Sequence, residues 1–105
     1  MTTRTVLRAA ARDIDNILDY LEIEAGAPTA LRYAALFDRQ LDFLASYPGS
    51  GPRRPALGAN TRIAVVSPYV MIYDYDPSND VVVVLRVIHG RRNVTRKLLP
   101  ISRND

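Results

Sequence analysis

The chain has 105 residues, room for one core of a few helices and one sheet, since domains commonly run to roughly 100–150 residues. With 48% hydrophobic and 24% charged residues, it has the composition of a folded globular protein rather than a disordered one. It contains no cysteine, which excludes disulfide frameworks, thiolate nucleophiles and Cys-based metal sites, and no apolar run approaches the roughly 18–20 residues that cross a bilayer.

The segment Met1 to Arg8 lacks the apolar stretch of a secretory signal, so the expected location is the cytoplasm. The net charge is +3, and arginine outnumbers lysine thirteen to one. A GC-rich genome accounts for such a bias; so does a demand for forked donors that grip carboxylates or phosphates. Seven of the fourteen basic residues lie after Arg54.

Thr3 to Arg8, with two threonines and a valine, reads as an opening strand. From Ala9 the period changes: Ile14, Ile17, Leu18 and Leu21 fall on one stripe of a helix, with Asp13, Asp15, Asp19 and Glu22 mostly on its other faces. Gly26 supplies a stop, and Pro28 suits the first turn of a second helix running to about Ser46. Its apolar stripe is Ala30, Tyr33, Ala34, Phe37, Leu41 and Leu44. A link this short folds the helices back as an antiparallel hairpin.

Tyr47 to Pro55 breaks regular structure and forms a basic loop. Thr61–Ser67 and Tyr69–Tyr75 then read as strands joined at Pro68, and Asp76-Pro77-Ser78-Asn79-Asp80 as a turn. The nearly unbroken apolar run Val81 to Ile88 reads as the central, most buried strand. The expected fold is α+β in the order β-α-α-β-β-β: a single domain over residues 1–105, with a helical hairpin packed on one face of a mostly antiparallel sheet. From about residue 93 to residue 105 the chain is polar and carries no legible pattern.

The chemically capable residues cluster late. Arg86 sits on an apolar strand, where a charge requires a partner: a carboxylate such as Asp74, or a functional role in a concave face. His89 at the strand exit is either a packing residue or a proton shuttle. Arg91 and Arg92 form a solvated pair or meet an acidic partner. Tyr69, Tyr73 and Tyr75 share one face by the period of two; three phenols in a core would need three partners, so some are expected to line a surface groove. Gly90 reads as a turn. There is no phosphate-binding loop, dinucleotide fingerprint or metal-ligand cluster, and no cofactor is expected.

Four segments, in order and spacing, resemble the RelE/ParE toxin superfamily: Ala10-Ala11-Arg12-Asp13-Ile14-Asp15-Asn16-Ile17 through Tyr20; Leu44 to Pro48 with Gly51, Arg54 and Leu57; Arg62 with Pro68-Tyr69-Val70 and Tyr73; and Val84-Leu85-Arg86-Val87-Ile88-His89-Gly90-Arg91-Arg92. The last is the most specific and is similar to the ParE branch. That resemblance implies a toxin of a type II toxin–antitoxin system that acts on DNA gyrase without bond chemistry of its own, trapping gyrase with cleaved DNA. The alternative is a ribosome-dependent mRNA endoribonuclease, as in the RelE, YoeB and HigB branches, with Arg62, Arg86, His89 and Arg91 as its catalytic candidates. Two departures weigh against the nuclease. The only lysine, Lys97, lies outside the central hairpin, and His89 is followed by Gly90 where YoeB-like members have tyrosine. On either reading the resemblance implies an antitoxin partner, here expected to have a disordered, acidic C-terminal segment. The expected partner-binding residues are Arg62, Tyr69, Tyr73, Arg86, His89, Arg91 and Arg92, with carboxylates of the antitoxin near Arg62, Arg86 or Arg91.

Overall fold

A single glycine reverses the chain between its two helices. In the computed structural model, which describes residues 2–100, α1 spans Arg8–Ala25 and α2 spans Ala27–Ser46, leaving Gly26 alone between them. Gly26 donates to the Glu22 carbonyl to close α1 and accepts from the Ala30 N–H to open α2. It does so at φ 94° and ψ 162°, a backbone region essentially reserved for glycine. The stripe Ile14, Ile17, Leu18 and Leu21 packs with Phe37, Leu41 and Leu44 against the sheet, as their spacing predicts.

The strands are β1 (Thr3–Val6), β2 (Thr61–Val66), β3 (Tyr69–Asp76) and β4 (Val81–His89). They form one sheet in the order β1-β4-β3-β2, with β1 parallel to β4 and the other pairs antiparallel. The architecture is therefore the expected α+β arrangement, and β4 is central. The turn between β3 and β4 is closed by Asp76, whose carboxylate accepts from Ser78 N and Asn79 Nδ2.

The apolar run of β4 is buried on both faces, and an extra residue explains how. Tyr73 pairs with Val84 while Ile72 pairs with Arg86, so Leu85 has no partner on β3. One inserted residue reverses the alternation beyond it. Val82 and Val84 face the helices before the bulge and Val87 does so after it; Leu85 and Ile88 belong to the opposite face.

That opposite face has a core of its own: Leu7, Leu57, Ile72, Leu85, Ile88 and Leu99, with Val94 and Leu98 against them. Its cover is irregular chain. The loop after α2 supplies Leu57, and the segment after β4, with a short 3-10 turn at Arg96–Leu98, supplies the rest. The patternless tail is thus a structural strap as far as Pro100; its last residues, 101–105 with Arg103, lie outside the described residues.

A Cβ at residue 26 meets nothing closer than 3.8 Å, so Gly26→Ala tests backbone conformation alone. We expect a loss of about 1–3 kcal/mol in urea unfolding, the usual cost of a non-glycine residue in such a region.

Candidate functional site

The bulge and the short β1 together create the most elaborate polar arrangement in the molecule. β1 ends opposite Val84, and Leu7 N–H donates to the Val84 carbonyl as the chain leaves the edge. Beyond that point α1 replaces a strand neighbour. Asp13 Oδ2 accepts from the Val87 N–H at 2.9 Å and from Arg86 Nε at 2.6 Å, while Oδ1 accepts from Arg86 Nη2 at 2.9 Å. Arg86 Nη1 donates to the Leu98 carbonyl at 2.7 Å. The guanidinium is therefore bidentate on one carboxylate and also holds the strap. Hydrogen bonding to Asp13 raises the Arg86 pKa further, outweighing the opposing effect of burial. The carboxylate that partners Arg86 is Asp13 of α1, not Asp74, whose Oδ1 accepts from Thr61 Oγ1.

A second arrangement lies where the loop after α2 meets β2 and β3. Tyr73 is fully buried, and its hydroxyl donates to the Pro48 carbonyl at 2.9 Å and accepts from the Gly51 N–H at 3.1 Å. Arg62, its register partner on β2, donates through Nη1 to the carbonyls of Gly51 at 2.7 Å and Gly49 at 3.2 Å. Gly51 is required here, because a Cβ would collide with the Ile63 carbonyl and the Tyr73 hydroxyl. Burial pushes the Tyr73 phenol pKa up, partly offset by the Gly51 hydrogen bond and the nearby Arg62 charge.

Tyr69 and His89 pair across β3 and β4 near the turn that follows β4. Tyr69 packs between Tyr33, Phe37 and His89, with ring centroids 5.7, 5.8 and 5.8 Å away. His89 is exposed, and its Nδ1 accepts from the Arg91 N–H at 3.1 Å. Gly90 N–H donates to the Pro68 carbonyl, Arg92 N–H donates to the His89 carbonyl to close the turn, and the Arg91 and Arg92 side chains are exposed.

The expected site residues thus separate into three places. Arg62 and Tyr73 brace the loop at one end of the β2–β3 hairpin, Arg86 locks the free edge of β4, and Tyr69 with His89, Arg91 and Arg92 occupies the opposite end. Tyr69 and Tyr73 are four residues apart on one strand, roughly 13 Å at about 3.3 Å per residue. All three strand tyrosines face the helices, as their spacing requires. The groove expected among them involves only the half-buried Tyr75, which lines a shallow cleft with Arg53, Asn60, Arg62 and Pro77. The other two are core residues because irregular backbone gives Tyr73 its partners and an aromatic cluster encloses Tyr69. Sequence reading missed Asp13 and Leu98 as the partners of Arg86; an acidic residue early in an amphipathic helix carries no mark of a contact 73 residues away. Among the described residues no group of acidic or histidine side chains is arranged to hold a metal ion.

The family model described as ParE toxin of type II toxin–antitoxin system, parDE, matches residues 5–94, and the chain belongs to that family. Two solved structures share its fold. One is from the chromosomal ParDE toxin–antitoxin system of P. aeruginosa, with a TM-score of 0.71 and 22% identity over 85% of this chain and 96% of that one. The other is from the toxin–antitoxin complex RelBE2 of Mycobacterium tuberculosis, with a TM-score of 0.57 and 24% identity over 84% of this chain and 96% of that one. No curated protein sequence matches the chain significantly.

Arg86→Gln leaves Asp13 without its cation in a mostly buried setting. We expect a loss of about 3 kcal/mol in chemical denaturation, the lower end for breaking a buried pair. Asp13→Asn added to it should cost little more, giving a clear coupling in a double-mutant cycle. Tyr73 gives a pH signature. Its folded-state pKa lies above its unfolded value near 10, so its contribution is intact below about pH 10 and declines as pH rises toward the folded value. Tyr73→Phe should remove that alkaline decline in thermal melts while costing about 1–3 kcal/mol at neutral pH through the unpaired Gly51 N–H.

Proposed function

We propose that this protein inhibits DNA gyrase as the toxin of its pair and is neutralised by a cognate antitoxin. The observation that carries the reading is the match to the ParE family over residues 5–94. The geometry supports it in a specific way. RNA cleavage through a 2′-OH needs a base, an acid and cations around the phosphorane. Of the candidates, Arg86 is committed to Asp13 and Leu98, and Arg62 to the loop carbonyls. The His89 Nδ1 is engaged by the Arg91 backbone. These side chains serve the fold first, which fits a toxin that works by binding.

The antitoxin reading rests on exposed apolar surface. Ile23, Leu31 and Tyr20 are 81%, 71% and 60% exposed on the helical hairpin. Leu31 also lines a groove of about 300 Å³ with Leu18, Ala27, Ala30 and Ala34. Isolated apolar residues on a surface are ordinary, but this concentration at one end of a hairpin suits a partner segment that folds on binding. Since Arg62 and Arg86 already have partners, carboxylates of an acidic antitoxin segment would meet Arg91 and Arg92.

The test is a supercoiling assay with purified toxin, DNA gyrase and relaxed plasmid, with and without ATP. Loss of supercoiling with accumulation of cleaved DNA is expected, and His89→Ala should leave it nearly unchanged. Intact supercoiling with growth arrest in cells, abolished by His89→Ala through a loss of about 10²–10⁴ in rate, would instead establish the ribosome-dependent nuclease.

A further inference from the structure

We propose that the sheet face opposite the helices is a binding surface for double-stranded DNA, gripped through its phosphates. The choice of DNA as the polyanion rests on the gyrase reading, since the target of such a toxin carries a duplex.

Charge is segregated between the two sides of the molecule. Seven of the eleven acidic residues lie on the two helices: Asp13, Asp15, Asp19, Glu22 and Glu24 on α1, and Asp38 and Asp42 on α2. The two irregular segments that cover the opposite face, residues 48–60 and 90–100, contain no acidic residue at all. They contain Arg53, Arg54, Arg91, Arg92, Arg96 and Lys97, and every one of these is exposed. Such a one-sided arrangement exceeds what a net charge of +3 calls for.

The fold brings these cations onto one surface, Arg53 excepted, which turns into the cleft beside Arg62 and Tyr75. A cleft of about 300 Å³ between the loop and the turn after β4 is lined by Arg54, Leu57, Val70, Gly90 and Val94. From Val94 the strap crosses the face, carrying Arg96 and Lys97, and reaches Pro100 beside Arg8 and Arg12 at the start of α1. Arg8 and Arg12 are also exposed, and among the described residues none of these cations pairs with a carboxylate. Asp13, the nearest acidic residue to this end of α1, is occupied by Arg86. Asp74 is the carboxylate of this sheet face, half-buried and accepting from Thr61 Oγ1. Asp76 and Asp80 sit at the far end of β4, roughly 27 Å away for a strand of this length.

The chemistry matches a phosphate backbone. Cations spread over three chain segments form a broad footprint rather than a pocket, which suits a ligand with charge at about every 1.7 Å of helix axis. Six of the seven on this face are arginines, whose planar forks bind phosphate oxygens bidentately. Contacts of this kind position a protein on a duplex without reading its sequence. A toxin with one face for its protein target and another for the duplex would hold the two together.

Fluorescence anisotropy of a labelled 20-base-pair duplex with the full-length toxin, gyrase absent, tests the surface over a range of salt. Binding in the micromolar range is expected, with affinity falling steeply as salt rises. The quadruple substitution Arg91→Gln, Arg92→Gln, Arg96→Gln and Lys97→Gln changes only exposed side chains. It should weaken binding at least tenfold and flatten the log–log salt slope by up to about 3.6, at roughly 0.9 for each phosphate no longer neutralised. Arg32→Gln with Arg39→Gln on α2 should change neither. The proposal is overturned if the duplex does not bind or if the α2 pair weakens it equally. Tighter binding of a single-stranded RNA or of polyglutamate than of the duplex overturns it as well. A toxin that blocks supercoiling yet ignores the duplex refutes this surface alone; one that binds the duplex yet leaves supercoiling intact refutes the gyrase reading alone.

Discussion

The bidentate pair between Arg86 and Asp13 is the constraint on which the arrangement of the molecule turns. Asp13 accepts from both the guanidinium and the Val87 amide, so a single carboxylate joins α1 to the central strand at the point where β1 no longer covers its edge. The third contact of Arg86, to the Leu98 carbonyl, ties down the strap on the opposite face. A charge placed here is costly unless its hydrogen bonds are met, and the structure meets them from two other segments, α1 and the strap. The helical layer, the sheet edge and the strap are held in one geometry by one side chain.

The same region explains how a small sheet is buried on both sides. The extra residue at Leu85 lets β4 send valines to the helices on either side of the bulge while Leu85 and Ile88 serve the second core. Helices cover the first face because their stripes are continuous. The second face is covered by Leu57, Val94, Leu98 and Leu99, which come from irregular chain. Arg62 and Tyr73 then stiffen the loop that carries part of this cover. Residues with the chemistry of a catalytic set are in this protein largely the fasteners of its loops.

Functionally, the two covers differ in character. The helical hairpin is acidic and exposes large apolar side chains at one end, whereas the irregular cover is basic and carries no carboxylate. Arg62, Tyr73 and Arg86 are engaged internally, whereas the arginines of the irregular cover are exposed. Membership of the ParE family and this division of surface are mutually consistent.

The sequence by itself determined the element order, the two helical stripes, the central position of β4 and the facing of Tyr69, Tyr73 and Tyr75. Each follows from a local period or a local turn residue, and such patterns are written in neighbouring positions. The resemblance carried by Val84 to Arg92 likewise indicated the family. Only the tertiary structure decided that Arg86 answers Asp13 rather than Asp74, that Tyr73 spends its hydroxyl on Pro48 and Gly51, and that the patternless tail closes a second core. These outcomes depend on contacts between residues far apart in the chain, and an isolated Asp, Tyr or Leu has no period to announce its partner. The cations of the loop and the strap were visible as residues, but only the folding of both segments over one sheet face made them a single surface.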